Sequence, residues 1–290
     1  MSTTLVIGLG LPAPFDVPYM ERALLAGVLI AVPLALLGAW VVLQGRAFFA
    51  HAVGVATFPG VVIGIGVPAL GPFAGSLLAA AAFTLTVHGL ERDHRVSGGA
   101  VTGLALSAAM AIGAVLLVSV FATSTPVEAV LFGSLLAVTD ADVVRCLIIA
   151  AVTAVGLTVL HARLAAVTFD PPWATAVGGG ARMTALALPA LLALAVVGAL
   201  PAVGSLLVSG LVVLPAATAR LLAVRVRGLL LLSAVLGLAF TVAGLAAARS
   251  LDAPPGAAIT TVGGAAFTVV AAARATRALA ERRAIRVAVR

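Results

Sequence analysis

Long apolar stretches, with the few charges pushed into the gaps between them, constrain this chain more than any other feature. Residues 23–43, 73–87, 100–122, 147–160, 183–200, 202–219, 229–248 and 257–273 hold only apolar or small side chains. Charged residues make up 9% of the 290 positions and hydrophobic ones 63%. Bilayer hydrocarbon is about 30 Å thick, so a crossing helix needs about 20 such residues, fewer among protein neighbours. Water would not tolerate this much apolar surface, so the solvent is lipid. In lipid a chain must satisfy its own backbone hydrogen bonds, which helices do locally. The expected fold is an all-α polytopic transmembrane helix bundle, a single domain over residues 1–290.

Nine crossings are expected, with eight as the alternative: 23–43, 47–67, 72–90, 100–122, 144–163, 183–200, 202–222, 228–248 and 257–274. The second is the least hydrophobic, broken by His51, Thr57 and Pro59, and the ninth is weakened by its Gly and Thr content. Residues 1–22 lack a basic leading region and carry Pro12, Pro14 and Pro18, so they do not read as a cleavable signal.

The basic balance reports topology. The chain has 17 arginines, no lysine and a formal charge of +7, but no aromatic-interleaved basic patch, so nucleic acid is not an expected partner. With the N-terminus outside, Arg46, Arg92, Arg95, Arg163, Arg182, Arg220, Arg225, Arg227 and the six arginines of 274–290 all face the cytoplasm. Only Arg22, Arg145 and Arg249 then lie outside. Cytoplasmic loops carry the arginine excess, so the expectation is N-terminus out and C-terminus in, with 275–290 an Arg-rich cytoplasmic tail.

Missing residues exclude several chemistries. Without lysine there is no P-loop Lys for ATP phosphates and no Schiff-base Lys. The single cysteine, Cys146, excludes an internal disulfide and a multi-Cys metal site, and reads as a small apolar filler. Every Asp and Glu falls in a loop or at a span end, which argues against an ion-coupled carrier. Energy is expected to arrive through a partner protein, and no covalently bound cofactor is expected.

Two segments between spans are too patterned to be mere connectors. The outer one, 123–143, holds an apolar stretch too short to cross and ends in Thr139, Asp140, Ala141 and Asp142, a capping sequence for the fifth span. The inner one, 168–182, reads TFDPPWATAVGGGAR. Asp170 would cap a short helix there, Pro171 suits its first turn, and Gly178–Gly180 would end it. A short amphipathic helix on the cytoplasmic face is what a membrane subunit presents to a soluble partner.

These blocks resemble the membrane subunits of bacterial ABC importers for zinc, manganese or iron, the ABC-3 permeases. Residues 202–222, AVGSLLVSGLVVLPAATARLL, are similar to the family's AVGxLLVxALLVxPAATARLL. Phe169, Asp170, Pro171, Ala174, Ala176 and Gly178 match its FDPxxAxAxG cytoplasmic helix, and 131–138, LFGSLLAV, its outer LFGxLLxV segment. Pro254, Gly256 and Ile259 resemble the start of its last span. The resemblance covers about 23–267. It implies a permease in the bacterial cytoplasmic membrane, paired with a second copy of itself. It also implies cytoplasmic ABC ATPase subunits and an extracytoplasmic solute-binding protein. On this view Phe169, Asp170, Pro171, Trp173, Ala174 and Gly178 couple to the ATPase.

One block departs from the family. Its GDAxSHAxLPG motif, whose Asp and His are taken to bind the metal in transit, reads here from Ala50 to Gly60 as AHAVGVATFPG. His51 occupies the Asp position and Val55 the His position. Spacing i, i+4 puts both on one helical face, where valine coordinates nothing. His51 is the surviving candidate metal ligand, completed by Thr57, by carbonyls freed near Pro59 or by water. The alternative is an ordinary histidine near the headgroups. Neutral imidazole without carboxylate oxygens suits zinc ahead of manganese, with iron a further candidate. A chelated or non-metal substrate stays open, as does an ATP-independent small-molecule carrier. His88, His94 and His161 lie near cytoplasmic ends and read as solvated or interfacial. Glu128, Asp140 and Asp142 form the main external acidic cluster, either attracting a cation or a docking protein or simply starting a solvated helix.

Overall fold

The computed structural model describes residues 18–91, 97–120, 138–176 and 180–288. Among these residues all regular structure is helical. In chain order the helices are α1 (Pro18–Leu43), α2 (Ala47–Val55), α3 (Phe58–Gly66), α4 (Gly71–Leu90) and α5 (Gly98–Val115), which runs into a π-helical turn, Leu116–Val120. After these come α6 (Asp140–Phe169), α7 (Pro171–Ala176), α8 (Gly180–Val203), α9 (Ser205–Leu222), α10 (Val226–Leu251) and α11 (Pro255–Ala288). Seven segments are long and apolar enough to cross a membrane, α2 and α3 counting together as one. The apolar parts of α8 and α9, Leu186–Leu200 and Leu207–Leu222, are shorter and correspond to the other two expected crossings.

The hub is α1, packed against α6, α9 and α10. Ile30, Leu34, Leu37 and Trp40 recur at helical spacing along it and are fully buried. Lipid supplies no hydrophobic drive between helices, so close backbone approach and dispersion must hold them. Gly38 provides that approach. Its Cα lies against the Val212 backbone of α9, where a Cβ has no room. Gly60 of α3 and Gly75 of α4 lie against each other's backbone in the same way, fastening a tight hairpin.

Helix ends follow local chemistry. At the start of α6, Asp142 N–H donates to Thr139 Oγ1 (3.3 Å) while Thr139 N–H donates to Asp142 Oδ2 (3.1 Å), a reciprocal capping box. The junction of α8 and α9 is Gly204 alone, at φ 77°, a conformation that favours glycine.

Two elements outrun the sequence expectation. Expected at 144–163, α6 spans Asp140–Phe169 and stops where Asp170, before two prolines, leaves helical geometry (φ −142°, ψ 71°). Expected to end at 274, α11 continues to Ala288, so most of the Arg-rich tail 275–290 is helical. Ala, Arg, Leu and Glu are good helix formers, and no Pro or Gly interrupts them there. The expected second span, 47–67, is split at Ala56–Thr57 into two short helices.

Candidate functional site

The split between α2 and α3 follows from Pro59. Proline has no N–H, so the Val55 carbonyl loses its i+4 donor and a continuous ladder cannot form. At the break the buried Thr57 hydroxyl donates to the Gly54 carbonyl at 2.6 Å. That hydrogen bond ties the Thr57 hydroxyl proton to the turn.

His51 stands in the second turn of α2 with its side chain exposed, while Ala50, Ala52 and Val53 on either side are buried. Phe49 fixes the helix's rotation by stacking on Phe83 of α4, ring centroids 5.8 Å apart. Half-buried Val55 lies one turn along on the same face as His51. Among the described residues no group of three or more His, Cys, Asp and Glu is placed to hold a metal ion. A cavity of about 430 Å³ opens beside the split, lined by Ala56, Pro59 and Gly60 together with Ala79, Phe83 and Ala109. Its apolar walls offer a bare cation nothing to replace hydration.

One end of the bundle is tied by Arg46. Its guanidinium donates to Glu91 Oε2 at 2.9 Å, joining the α1–α2 turn to the end of α4. Beside it Gln44 Nε2 donates to Thr168 Oγ1 at 3.2 Å, joining the same turn to the end of α6. His161 of α6 sits edge-on to buried Trp40, centroids 5.4 Å apart, and is itself exposed. His88 is half-buried near the end of α4, and His94 lies outside the described residues.

At this end sits α7. Asp170 Oδ1 accepts from Trp173 N–H at 3.1 Å, capping a helix of six residues. Phe169 is 58% exposed and Trp173 54%, while Ala174 is half-buried. Both aromatic side chains are thus presented outward from a capped turn. Gly178 lies outside the described residues.

The opposite end carries Asp140 and Asp142. Asp140 pairs with Arg22 of α1 (3.1 Å) and Asp142 with Arg145 (2.9 Å). Arg145 also lies over the Phe73 ring, 5.8 Å from its centroid. Each aspartate thus has an internal counter-charge, which removes most of the excess negative field expected from a bare cluster. Glu128 lies outside the described residues. In the sequence Arg22 and Arg145 stand out only as topology markers. The i, i+3 spacing of Asp142 and Arg145 was the available signal for one of these pairs.

Comparison with known proteins adds identity to this geometry. The family model described as the ABC 3 transport family matches residues 16–274. The manganese transport system membrane protein MntC of Halalkalibacterium halodurans is 31% identical over 251 residues, covering 87% of this chain and 86% of that protein. The chelated iron transport system membrane protein YfeC of Yersinia pestis is 33% identical over 252 residues, covering 86% and 84% respectively. Among solved structures, PsaBC from Streptococcus pneumoniae in complex with Fab superposes with a TM-score of 0.76 at 25% identity, covering 87% of this chain and 90% of that one.

Proposed function

The chain belongs to the ABC 3 transport family, and from that membership we propose that it is the permease subunit of an ATP-binding-cassette importer carrying a transition metal. It is a multi-pass protein of the bacterial cytoplasmic membrane. It contains no lysine, so P-loop ATP hydrolysis falls to separate cytoplasmic subunits. An extracytoplasmic binding protein delivers the cargo, and two copies of this chain enclose the path.

The observation that carries the coupling role is α7, capped by Asp170 and presenting Phe169 and Trp173 at the end fixed by Arg46 and Glu91. The arginine excess at that end supports reading it as the cytoplasmic one. Closure of the ATPase subunits would press on α7 and, through α6 and α8, on the packing of the bundle. The split α2–α3 is where such a bundle can bend, and discontinuous helices commonly line transporter sites.

The cargo is read from His51. One neutral imidazole suits zinc, with manganese or iron following from the relatives' names. A second reading, a metal carried inside a chelator, is favoured by Val55 at the neighbouring ligand position and by the apolar cavity beside the split. A chelator would bring its own ligands and need mostly apolar walls. The test is ATP hydrolysis by the complex reconstituted with its ATPase and binding protein. Stimulation by free zinc supports the first reading, stimulation only by a chelate the second, and stimulation by neither refutes both.

A further inference from the structure

Two cavities lie in line along the wedge between α2, α4 and α5. The first, of about 420 Å³, sits at the helix ends, where Gln44, Arg46, Glu91, Gly98 and Thr102 line it. The second is the apolar cavity of about 430 Å³ beside the α2–α3 split. Their lining residues repeat at helical spacing. Phe49 of the first and Ala56 of the second stand at i and i+7, and Thr102 of the first is followed at i+3 and i+7 by Ala105 and Ala109 of the second. One face of α2 and one of α5 thus pass from the polar chamber into the apolar one. The stacked rings of Phe49 and Phe83 mark the junction, since Phe49 lines the first cavity and Phe83 the second.

The polar chamber is lined by one positive and one negative side chain, Arg46 and Glu91. Their contact uses Arg46 Nη2 and Glu91 Oε2. The other carboxylate oxygen, Glu91 Oε1, points toward Gly98, where an added Cβ would meet it at 2.9 Å. A guanidinium carries five N–H groups, so donors and an acceptor remain for a ligand. A net-negative headgroup would find no excess positive charge among these lining residues. A zwitterionic one can give its phosphate to Arg46 and ammonium N–H groups to Glu91, both charge-assisted contacts. Length agrees with that occupant. From Glu91 to Gly75, which lines the apolar cavity, is about 24 Å along α4. Half a bilayer, headgroups included, is about 20–23 Å. Leu78 and Ile112 line the apolar cavity and are 60% and 55% exposed, so it opens on the outer surface where a lipid chain can enter sideways. A soluble polar ligand would leave the apolar cavity unfilled, and a purely apolar one would leave the charges unused.

We infer that the paired cavities hold one phospholipid with a primary-ammonium, zwitterionic headgroup, its head between Arg46 and Glu91 and one acyl chain in the apolar cavity. The test is native mass spectrometry of the full-length protein released from nanodiscs of equal phosphatidylethanolamine, phosphatidylcholine and phosphatidylglycerol. Wild type should keep one phosphatidylethanolamine per chain, preferred on the order of tenfold over either other lipid, because choline has no N–H for Glu91. Glu91→Gln keeps the shape and removes the charge, and should erase the preference over phosphatidylcholine. That preference is a ratio within the bound lipid, so it does not depend on how much of the variant is folded. Ala82→Phe, which fills the apolar cavity from an exposed position, should lower retention of all three lipids. Equal retention of the three by wild type would overturn the inference, as would an unchanged preference in Glu91→Gln or unchanged retention in Ala82→Phe. A preference for phosphatidylglycerol would overturn it in favour of an anion site, displacement by inorganic phosphate in favour of a soluble anion, and lipid-free chains cross-linked through Leu78 and Ile112 in favour of a second copy. The chelate reading uses the same apolar cavity, so a seated chain would compete with a chelate. No cargo is present in this measurement, so its failure leaves the permease reading intact.

Discussion

Arg46 and Glu91, 45 residues apart in sequence, meet at 2.9 Å with side chains 28% and 17% exposed. The contact fastens the α1–α2 turn to the end of α4, and so sets where α2, and with it His51, begins.

Removing one partner leaves a half-buried charge unpaired. Arg46→Ala and Glu91→Ala are each expected to destabilise the protein by about 1–2 kcal/mol. A double-mutant cycle on thermal unfolding in detergent should return a coupling of about 1 kcal/mol. Additive single effects would show that the pair is spectator geometry.

Gly38 allows a sharper prediction. A Cβ there meets the Val212 backbone, which cannot swing aside like a side chain. Gly38→Ala should cost about 3 kcal/mol or more, at or above the upper end for overpacking, because α1 is packed on three helices. Gly264→Ala, with nothing near its added methyl, should be neutral or slightly stabilising by helix propensity. Equal melting temperatures for the two variants would contradict the α1–α9 contact.

Topology follows from the arginine count. Reporter fusions after Arg95, Gly180 and Arg290 should report cytoplasm, and fusions near Pro68 or Asp140 the exterior. A cytoplasmic signal at Asp140 would overturn both the orientation and the nine-crossing count.

Much of the fold was legible because its signals are local. Apolar runs located the long helices, Thr139 and Asp142 announced the start of α6, and Asp170 with Pro171 announced α7. Helix length was less legible. Hydropathy marks where lipid ends, whereas a helix ends where backbone chemistry stops it, so α6 ran to Phe169 and α11 ran on through its arginines. The partners of Arg22 and Arg46 lie far along the chain, and nothing local signals them. At the candidate site, sequence places His51 and Val55 one helical turn apart, and the structure keeps them on one face of α2. The Thr57 hydrogen bond to the Gly54 carbonyl was not legible, since it depends on where the helix breaks.

Coupling can be separated from assembly at α7. Replacing Asp170 and Trp173 by alanine removes the cap and one exposed aromatic, and a buried interface aromatic often contributes about 2 kcal/mol or more. The double variant should insert normally yet lose cargo-stimulated ATP hydrolysis. Full stimulation in that variant would remove α7 from the coupling path.

ATP-dependent zinc uptake into proteoliposomes, comparing wild type with His51→Ala in the complete complex, tests the account most directly. His51 is exposed on α2, so its truncation should leave folding and ATPase binding intact. The account predicts zinc accumulation by wild type and its loss in His51→Ala. Accumulation at wild-type level in the variant would contradict His51 as the ligand, and no accumulation by wild type would contradict zinc as the cargo.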